Sequence, residues 1–317
     1  MCNNLEEFRH RKLALFDFNP HFQDIAAASS IRIMTCDTLQ SFKPVYLTVG
    51  NEGASLKVWH QGDGPLLVLI QGGGGNGDAF NEAIPNLSRN YKVATYDRRG
   101  NGQSTVINPR MLNPMESARD VTTIIKALGY TKASLFGTSS GGLIALQLAM
   151  SYPKYVESIV LHETPITSIM PNESIARMDS GYAVFESYME KGAAAALEQF
   201  RASIRETPAE PPHSDAAKDQ QVAPHRLDYF FRYEFLIFIT YTPNLSQVRA
   251  SRIPIATVEG VESKGVFHAT SAQIQSKILK CRHVVWPGAH AVFVTNPEVF
   301  AEELHKTIQF LQHQHEG

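Results

Sequence analysis

Cysteine is scarce in this chain of 317 residues, which has three: Cys2, Cys36 and Cys281. They lie far apart, their number is odd, and their spacing matches neither a disulfide framework nor a zinc site. The scarcity therefore excludes a small disulfide-stabilised secreted domain and predicts reduced thiols. No basic segment followed by a signal-type apolar run opens the sequence, so we expect a cytoplasmic protein. The lack of metal-site spacing leads us to expect no bound metal.

The chain also lacks an excess of charge of either sign. It has 29 Lys and Arg against 31 Asp and Glu, a formal net charge of -2, which gives no electrostatic reason to bind nucleic acid or an anionic membrane. Its longest apolar region, 229–240, contains Arg232 and Glu234 and is too short to span a bilayer. We therefore expect a small, neutral or weakly charged molecule as the substrate, with homodimer formation left open.

Apolar sequence is abundant: 43% of the residues are hydrophobic, which is enough for a large buried core. From about Phe42 onward, short apolar runs alternate with helical patterns, and this indicates an α/β fold whose sheet is mostly parallel with helices on both faces. Eight strands are predicted, at 45–49, 54–60, 66–70, 92–96, 133–136, 156–161, 253–258 and 283–286, and helices at 115–128, 141–151, 271–279 and 297–311.

Two regions interrupt this alternation. Residues 1–41 precede the first strand as an N-terminal extension, which we expect to pack on the body or to mediate subunit contact. The stretch 164–250, after the sixth predicted strand, has helical signals and many aromatic residues, and it predicts a helical cap that roofs a pocket. The remaining residues, 42–163 and 251–317, form the predicted α/β core, and 206–221 is a predicted loop within the cap.

The motif Gly137-Thr138-Ser139-Ser140-Gly141 joins the fifth predicted strand to the helix that follows it. This G-x-S-x-G pattern is typical of a nucleophile elbow, in which glycines on both sides leave room for a sharp turn and the central serine projects alone. Ser139 is therefore the candidate nucleophile. The backbone N–H of Ser140, at the positive end of the helix dipole, is a candidate donor of an oxyanion hole.

A second glycine cluster, 71–77, follows the third predicted strand and permits two interpretations. The glycines at positions 72, 74 and 77 fit the dinucleotide-binding pattern, and Asp97 ends the next strand about twenty residues later, where a ribose-binding acid is expected. However, that pattern belongs to the first βαβ unit, and an NAD(P)-dependent oxidoreductase leaves the elbow unexplained. The hydrolase interpretation is favoured, because it uses the backbone N–H of Gly73 as a second oxyanion donor.

A serine nucleophile needs a general base, and in this kind of triad the histidine follows the serine and the acid along the chain. The segment Pro287-Gly288-Ala289-His290 follows the last predicted strand, so a tight turn presents His290 at the carboxyl edge of the sheet. His290 is the candidate base. His268 and His283 are the nearest other histidines but lack this loop context.

Two glutamates are candidates for the acid of the triad. Glu262 lies in a turn after the seventh predicted strand, the usual place for this acid, although Ser263 occupies the position where an aspartate is expected. Glu163 ends the sixth predicted strand, which in a doubly wound sheet lies beside the strand that carries Ser139. The residues favour Glu163 and leave Glu262 open as the alternative acid.

Together these motifs resemble the α/β-hydrolase family over about residues 42–314. The resemblance rests on Gln71-Gly72-Gly73, on the sequence DRRGNGQS at 97–104, on the elbow and on the segment 287–290. It implies a serine hydrolase that needs no cofactor. Gln71 departs from the family, which commonly has a histidine at this place in the oxyanion loop.

A narrower resemblance is to the zearalenone lactonases. It rests on the elbow, on Leu161-His162-Glu163-Thr164-Pro165, and on 287–290 followed by Asn296-Pro297-Glu298-Val299-Phe300. In those enzymes the triad acid is the glutamate after strand six, so the resemblance implies Glu163 as the acid and lactonase activity, while the cap sequence differs too much to carry over a substrate.

The sequence therefore predicts an α/β-hydrolase fold with an eight-stranded sheet and a cap after the sixth strand. The expected function is cleavage of an ester or lactone of a small, largely apolar molecule through an acyl-enzyme intermediate. The predicted site residues are Ser139, His290 and Glu163, with Gly73 and Ser140 as oxyanion donors and no cofactor. Two alternatives are kept: a C–C lyase or ligand receptor on the same fold, and the NAD(P)-dependent oxidoreductase.

Overall fold

The computed structural model describes residues 45–204 and 224–313. The predicted extension 1–41 and the predicted loop 206–221 lie outside the described residues.

The strands are β1 (Val45–Asn51), β2 (Ala54–Gln61), β3 (Leu66–Ile70), β4 (Lys92–Tyr96), β5 (Thr105–Val106), β6 (Ala133–Thr138), β7 (Val156–His162), β8 (Ile255–Gly260) and β9 (Arg282–Trp286). They form one sheet in the order β1-β2-β4-β3-β6-β7-β8-β9, and β5 pairs with β2. Strands β1 and β2 are antiparallel to their neighbours. All pairs from β4 to β9 are parallel, so the sheet is mostly parallel, as predicted.

Eight of these strands are the ones predicted from the sequence. Strand β5 is an addition, and its two residues are too few to show an alternating pattern. Strand β8 begins at Ile255 rather than at residue 253, because Pro254 has no N–H to donate to a neighbouring strand. It ends at Gly260, two residues beyond the predicted end.

The centre of the sheet is buried on both faces. All five residues of β3 are buried, and its unbroken apolar sequence is what a parallel strand between two helical layers requires. Leu67 and Leu69 belong to one apolar cluster, and Val68 and Ile70 belong to the other. Alternate side chains of one strand therefore fill the two cores.

The helices of the core are Ile84–Leu87, Pro114–Ala127, Ser140–Ser151, Phe267–Leu279, Val292–Thr295 and Pro297–His313. The helices predicted at 115–128, 141–151 and 297–311 are confirmed within two residues. The helix predicted to begin at residue 271 begins at Phe267 and so includes His268. A capping side chain is the signal that marks a helix start in a sequence. The start of this helix carries none, so its position could not be recognised.

The chain between β7 and β8 is also helical. Among the described residues its elements are the short 3-10 helix Thr167–Ile169, the helices Ser174–Lys191, Ala193–Ile204 and Pro224–Tyr229, the π-helical segment Phe230–Phe235, and the helices Leu236–Thr240 and Leu245–Ala250. Val184 and Phe231 share an apolar core with Leu135 of the sheet, and the described residues all belong to one compact unit. The division of 164–250 as a domain of its own therefore stays a prediction.

Within residues 45–204 and 224–313, no helix combines the length and the apolar character needed to cross a bilayer.

Candidate active site

Ser139 forms the turn between β6 and the helix Ser140–Ser151. Its backbone has φ 51° and ψ -131°, and a positive φ of this kind costs a residue with a side chain roughly 1–3 kcal/mol. The Ser139 N–H donates to the carbonyl of His162 at 2.9 Å, and its own carbonyl accepts from the N–H of Gly142 at 3.0 Å. The turn is therefore strained and fixed on both sides, as a nucleophile elbow requires.

The glycines on either side of Ser139 are required by close backbone contacts. A Cβ atom on Gly137 would lie 2.7 Å from Gly142 Cα, and one on Gly141 would lie 2.2 Å from the carbonyl oxygen of Ile70. Both obstacles are main-chain atoms that a rotamer change cannot remove. The spacing of the motif is thus explained by the packing of the helix start against β3.

The glycine loop after β3 passes directly beside Ser139. A Cβ atom on Gly72 would lie 2.8 Å from Ser139 Cβ. Gly73 comes next, and the ring of Phe230 lies 3.3 Å from the place its Cβ would occupy. Ser140 is the first residue of its helix, where an N–H has no acceptor within the helix. The structure thus places Gly72 against Ser139, with Gly73 next along the same loop and Ser140 directly after the serine.

Asp97 does not fit the dinucleotide-binding interpretation. One of its carboxylate oxygens accepts the N–H of Gly77 at 3.0 Å, and the other accepts the N–H of Gln103 at 2.7 Å. The side chain therefore ties two loops together, and it is buried rather than presented at a surface that a ribose could reach. The glycine cluster serves the loop beside Ser139 instead.

Glu163 comes directly after β7, and both of its carboxylate oxygens are bonded. Oε1 accepts the N–H of Gly260 at 2.8 Å, and Oε2 accepts from Nδ1 of His290 at 2.5 Å. Nε2 of His268 lies 3.1 Å from the same Oε2. Because Thr138 and His162 are paired neighbours at the ends of β6 and β7, Ser139 and Glu163 leave adjacent strands at the same level. The structure therefore brings Glu163 and His290 together at the edge that carries Ser139.

The charge of Glu163 is stabilised by these bonds. Burial alone would raise the pKa of Glu163, but hydrogen bonds from His268 and His290 hold this pKa well below its usual value. The carboxylate is therefore ionised at neutral pH. An ionised acceptor at Nδ1 fixes the tautomer of His290 and leaves its Nε2 as the proton-accepting atom. The His290 side chain is one-third exposed, at 33%, so the base remains accessible from the solvent side.

The two predicted acids have different surroundings. Glu262 is exposed, in the turn Val261–Ser263, and its backbone N–H donates to the carbonyl of Gly288 at 3.1 Å. Glu163 is fully buried and is the carboxylate bonded to His290. The geometry favours Glu163 over Glu262 as the acid.

His268 is a site residue that the sequence prediction did not include. Its ring centroid lies 4.4 Å from that of His290, and both rings reach Oε2 of Glu163. The helix predicted from the sequence begins at residue 271 and does not include His268, whereas the helix of the structure begins at Phe267. The position of His268 shortly after β8, where the acid of such triads is usually found, was the one signal that pointed to this edge of the sheet.

His162, the last residue of β7, is a further histidine of the site and is fully buried. Its ring lies 5.7 Å from that of Trp286 and 5.9 Å from that of His290, and Thr138 Oγ1 lies 3.0 Å from its Nδ1. Burial lowers the pKa of His162 to about 4, although the negative charge of the Glu163 carboxylate acts to raise this pKa. His162 is therefore neutral in the folded protein at neutral pH.

Neutral His162 should make the fold sensitive to acid. Its unfolded pKa of 6.5 exceeds the folded value of about 4, so its contribution to stability is complete above pH 6.5 and is lost as the pH falls towards 4. We expect His162 alone to lower the free energy of unfolding by about 2 kcal/mol between pH 7.5 and pH 5. Urea unfolding of the wild type and of His162→Gln at both pH values measures this difference.

The exposed His313 offers a matched control. In His313→Gln the free energy of unfolding should fall between pH 7.5 and pH 5 by as much as in the wild type. In His162→Gln this fall should be smaller by about 2 kcal/mol. Equal losses in the wild type and in His162→Gln would contradict a depressed pKa at His162.

His162, Glu163 and His290 also offer potential metal-ligating atoms within 4.8 Å of one another. In the described residues Nδ1 of His290 bonds Glu163 and Nδ1 of His162 faces Thr138, whereas Nε2 of His162 is buried without a hydrogen-bond partner. The bond between His290 and Glu163 fits an acid–base pair.

Comparison with known proteins agrees with this arrangement. A sequence model of the alpha/beta hydrolase fold matches residues 65–297, from the start of β3 to the start of the last helix. The hydrolase YraK of Bacillus subtilis, itself uncharacterized, is 25% identical over 262 residues, which cover 81% of this chain and 93% of that protein.

Two solved structures show the same architecture. One belongs to a study of carboxylesterases of Nitrososphaera gargenis, with a TM-score of 0.67 and 18% identity over 85% of this chain and all (100%) of that one. Another is a thermophilic esterase from Thermogutta terrifontis, with a TM-score of 0.66 and 18% identity over 85% of this chain and 99% of that one. At 18% identity these likenesses show the fold alone. The family model matches more than half of the chain, so the chain belongs to the α/β hydrolase fold family.

Proposed function

We propose that this protein is a serine hydrolase that cleaves an ester or lactone of a small, largely apolar molecule through an acyl-enzyme intermediate. The observation that carries the proposal is the 2.5 Å bond between His290 Nδ1 and Glu163 Oε2. A buried, ionised acid with this contact orients a histidine as a general base. The strained Ser139 turn comes from the adjacent strand and supplies the nucleophile.

The reaction follows from these positions. Ser139 Oγ attacks the carbonyl carbon of the substrate while His290 Nε2 accepts the hydroxyl proton, and Glu163 stabilises the imidazolium that forms. The carbonyl oxygen becomes an oxyanion, which the N–H groups of Gly73 and Ser140 stabilise. The intermediate collapses to the acyl-enzyme as His290 returns the proton to the leaving alcohol. Water then repeats the sequence and releases the acid and free Ser139.

Several features support an apolar ester or lactone as the substrate. The ring of Phe230 packs on Gly73, so an apolar side chain lines the loop that would face the carbonyl. The two esterases described above have the same fold, and the resemblance to the zearalenone lactonases extends the proposal to lactones. We propose that the helices within 164–250 act as the cap that selects the substrate.

A fluorophosphonate probe tests the proposal, because it phosphonylates an activated serine with loss of fluoride. We expect the intact protein to be labelled on the peptide that contains Ser139, as identified by mass spectrometry. His290→Asn removes the base and should slow labelling by about a hundredfold or more, whereas the exposed His313→Asn should label like the wild type. Absence of labelling in the wild type, with intact fold, would favour the lyase or receptor alternative.

A further inference from the structure

Glu234, in the π-helical segment Phe230–Phe235, forms a buried ionic contact with the core. Its Oε2 accepts from Arg98 at 2.6 Å, and its Oε1 accepts from Nδ2 of Asn101 at 2.8 Å. The side chains of Glu234 and Arg98 are each 2% exposed. Segments with π-helical geometry occur frequently at functional sites, and here the segment places a carboxylate under the turn that follows β4.

Arg98 connects this carboxylate to the loop beside Ser139. Its NH1 group donates to the carbonyl of Gln71 at 2.8 Å and also to the carbonyl of Gly72. The carbonyl of Gly72 and the N–H of Gly73 belong to one planar trans peptide unit, so they point in opposite directions. A guanidinium that binds the carbonyl of Gly72 therefore turns the N–H of Gly73 to the opposite side.

The same loop is held at a second place. Nε2 of Gln71 donates to the carbonyl of Gly75 at 2.6 Å, and the N–H of Arg98 donates to that same carbonyl at 2.8 Å. The carbonyl of Gly72 also accepts from the N–H of Gly75 at 3.3 Å, so Arg98 and this main-chain bond together oppose rotation of the Gly72–Gly73 peptide. The guanidinium in turn lies between Glu234 and the ring of Phe238, whose centroid is 5.3 Å from Cζ.

We propose that Glu234 is a positioning residue for the oxyanion hole: through Arg98 it fixes the peptide that carries the Gly73 N–H. This inference rests on the proposed hydrolase function. Because the interaction acts on a hydrogen-bond donor for the developing oxyanion, it stabilises the transition state more than the bound substrate. It also makes the orientation of the catalytic loop dependent on the helical segment between β7 and β8.

The test is Glu234→Asp, which keeps the charge but shortens the side chain by one methylene. We expect kcat for a p-nitrophenyl ester to fall by at least about tenfold, with KM changed by less than about threefold. Affinity for phenylboronic acid, whose tetrahedral serine adduct mimics the transition state, should fall by the same factor as kcat. In the double variant with Arg98→Lys we expect no loss beyond that of the Arg98 variant, since both residues act through one path.

Asp120→Asn is the matched control. Asp120 is buried and accepts from NH2 of Arg99 at 2.6 Å and from Nε of Arg99 at 2.8 Å. Arg99 follows Arg98 in the sequence, so the substitution breaks a similar ion pair of the same turn. It should lower the midpoint of thermal unfolding while leaving kcat and boronate affinity within about threefold.

A purely structural role for Glu234 predicts equal effects on kcat in Glu234→Asp and Asp120→Asn at matched stability, and that result would overturn the inference. Unchanged boronate affinity in Glu234→Asp would do the same. An inactive, unlabelled wild type would overturn the proposed function together with the inference, whereas an active wild type with a fully active Glu234→Asp overturns the inference alone. If Glu234→Asp fails to fold, Arg98→Lys decides in its place. A fall of kcat and of boronate affinity by the same factor supports the inference, and an unchanged boronate affinity overturns it.

Discussion

Ser139→Ala is expected to lower kcat by about a million-fold, which is the loss seen when the nucleophile of a serine triad is removed. Alanine lacks the oxygen that forms the acyl-enzyme, while the elbow and its hydrogen bonds are main-chain features that the substitution keeps. Binding of substrate should therefore change little. Stopped-time assays on an activated ester, with affinity measured separately by calorimetry, check both parts.

A serine at the far end of the same helix is the matched control. Ser151 closes the helix Ser140–Ser151, and its hydroxyl bonds the side chain of Gln147. Ser151→Ala should retain activity within about twofold to threefold of the wild type. Near-normal turnover in Ser139→Ala would show that the covalent mechanism is wrong, provided that contaminating esterase is excluded by active-site titration.

Glu163→Gln should reduce kcat/KM by about ten-thousand-fold, whereas Glu262→Gln should have an effect of less than about threefold. Glutamine loses the negative charge that stabilises the imidazolium, and its amide group can present a donor to the Nδ1–H of His290, which disfavours the productive tautomer. Glu262 is exposed and lies in the neighbouring loop, so it controls for loss of charge in this region.

Both variants are to be compared on one ester substrate after their thermal midpoints have been measured, because Glu163 is fully buried and its loss also affects folding. Assays well below the lower midpoint separate the two effects. The reverse ranking would move the acid to the loop after β8. It would also remove the main link to the zearalenone lactonases.

The features that could be predicted from the sequence are those with short-range signals. The elbow depends on glycines two residues from Ser139, and the central strand β3 is an unbroken apolar run. Both patterns are local, so spacing alone predicts the alternation of strands and helices, the turn that carries the candidate nucleophile and the loop of Gly73. His290 followed from a proline–glycine turn after the last strand.

The remaining features depend on contacts between distant parts of the chain. The sequence favours Glu163 over Glu262 only by assuming that β6 and β7 are adjacent, and the positive φ of Glu163, 46°, leaves no mark in the sequence. Glu234 meets Arg98 across 136 positions, and no spacing rule relates a helical glutamate to a loop arginine. Such pairs are decided by how the helices after β7 pack, which is a tertiary property.

The order in which the strands are made has a consequence for when the site can act. Ser139 and Glu163 are present once β7 has formed, but His290 is separated from Glu163 by 127 positions and follows the outermost strand, β9. A contact between residues so far apart in the sequence requires a long loop to close. In the proposed mechanism a chain in which β9 has not joined the sheet has the acid and the serine without the base, so activity regained on refolding would report completion of that edge rather than formation of the core.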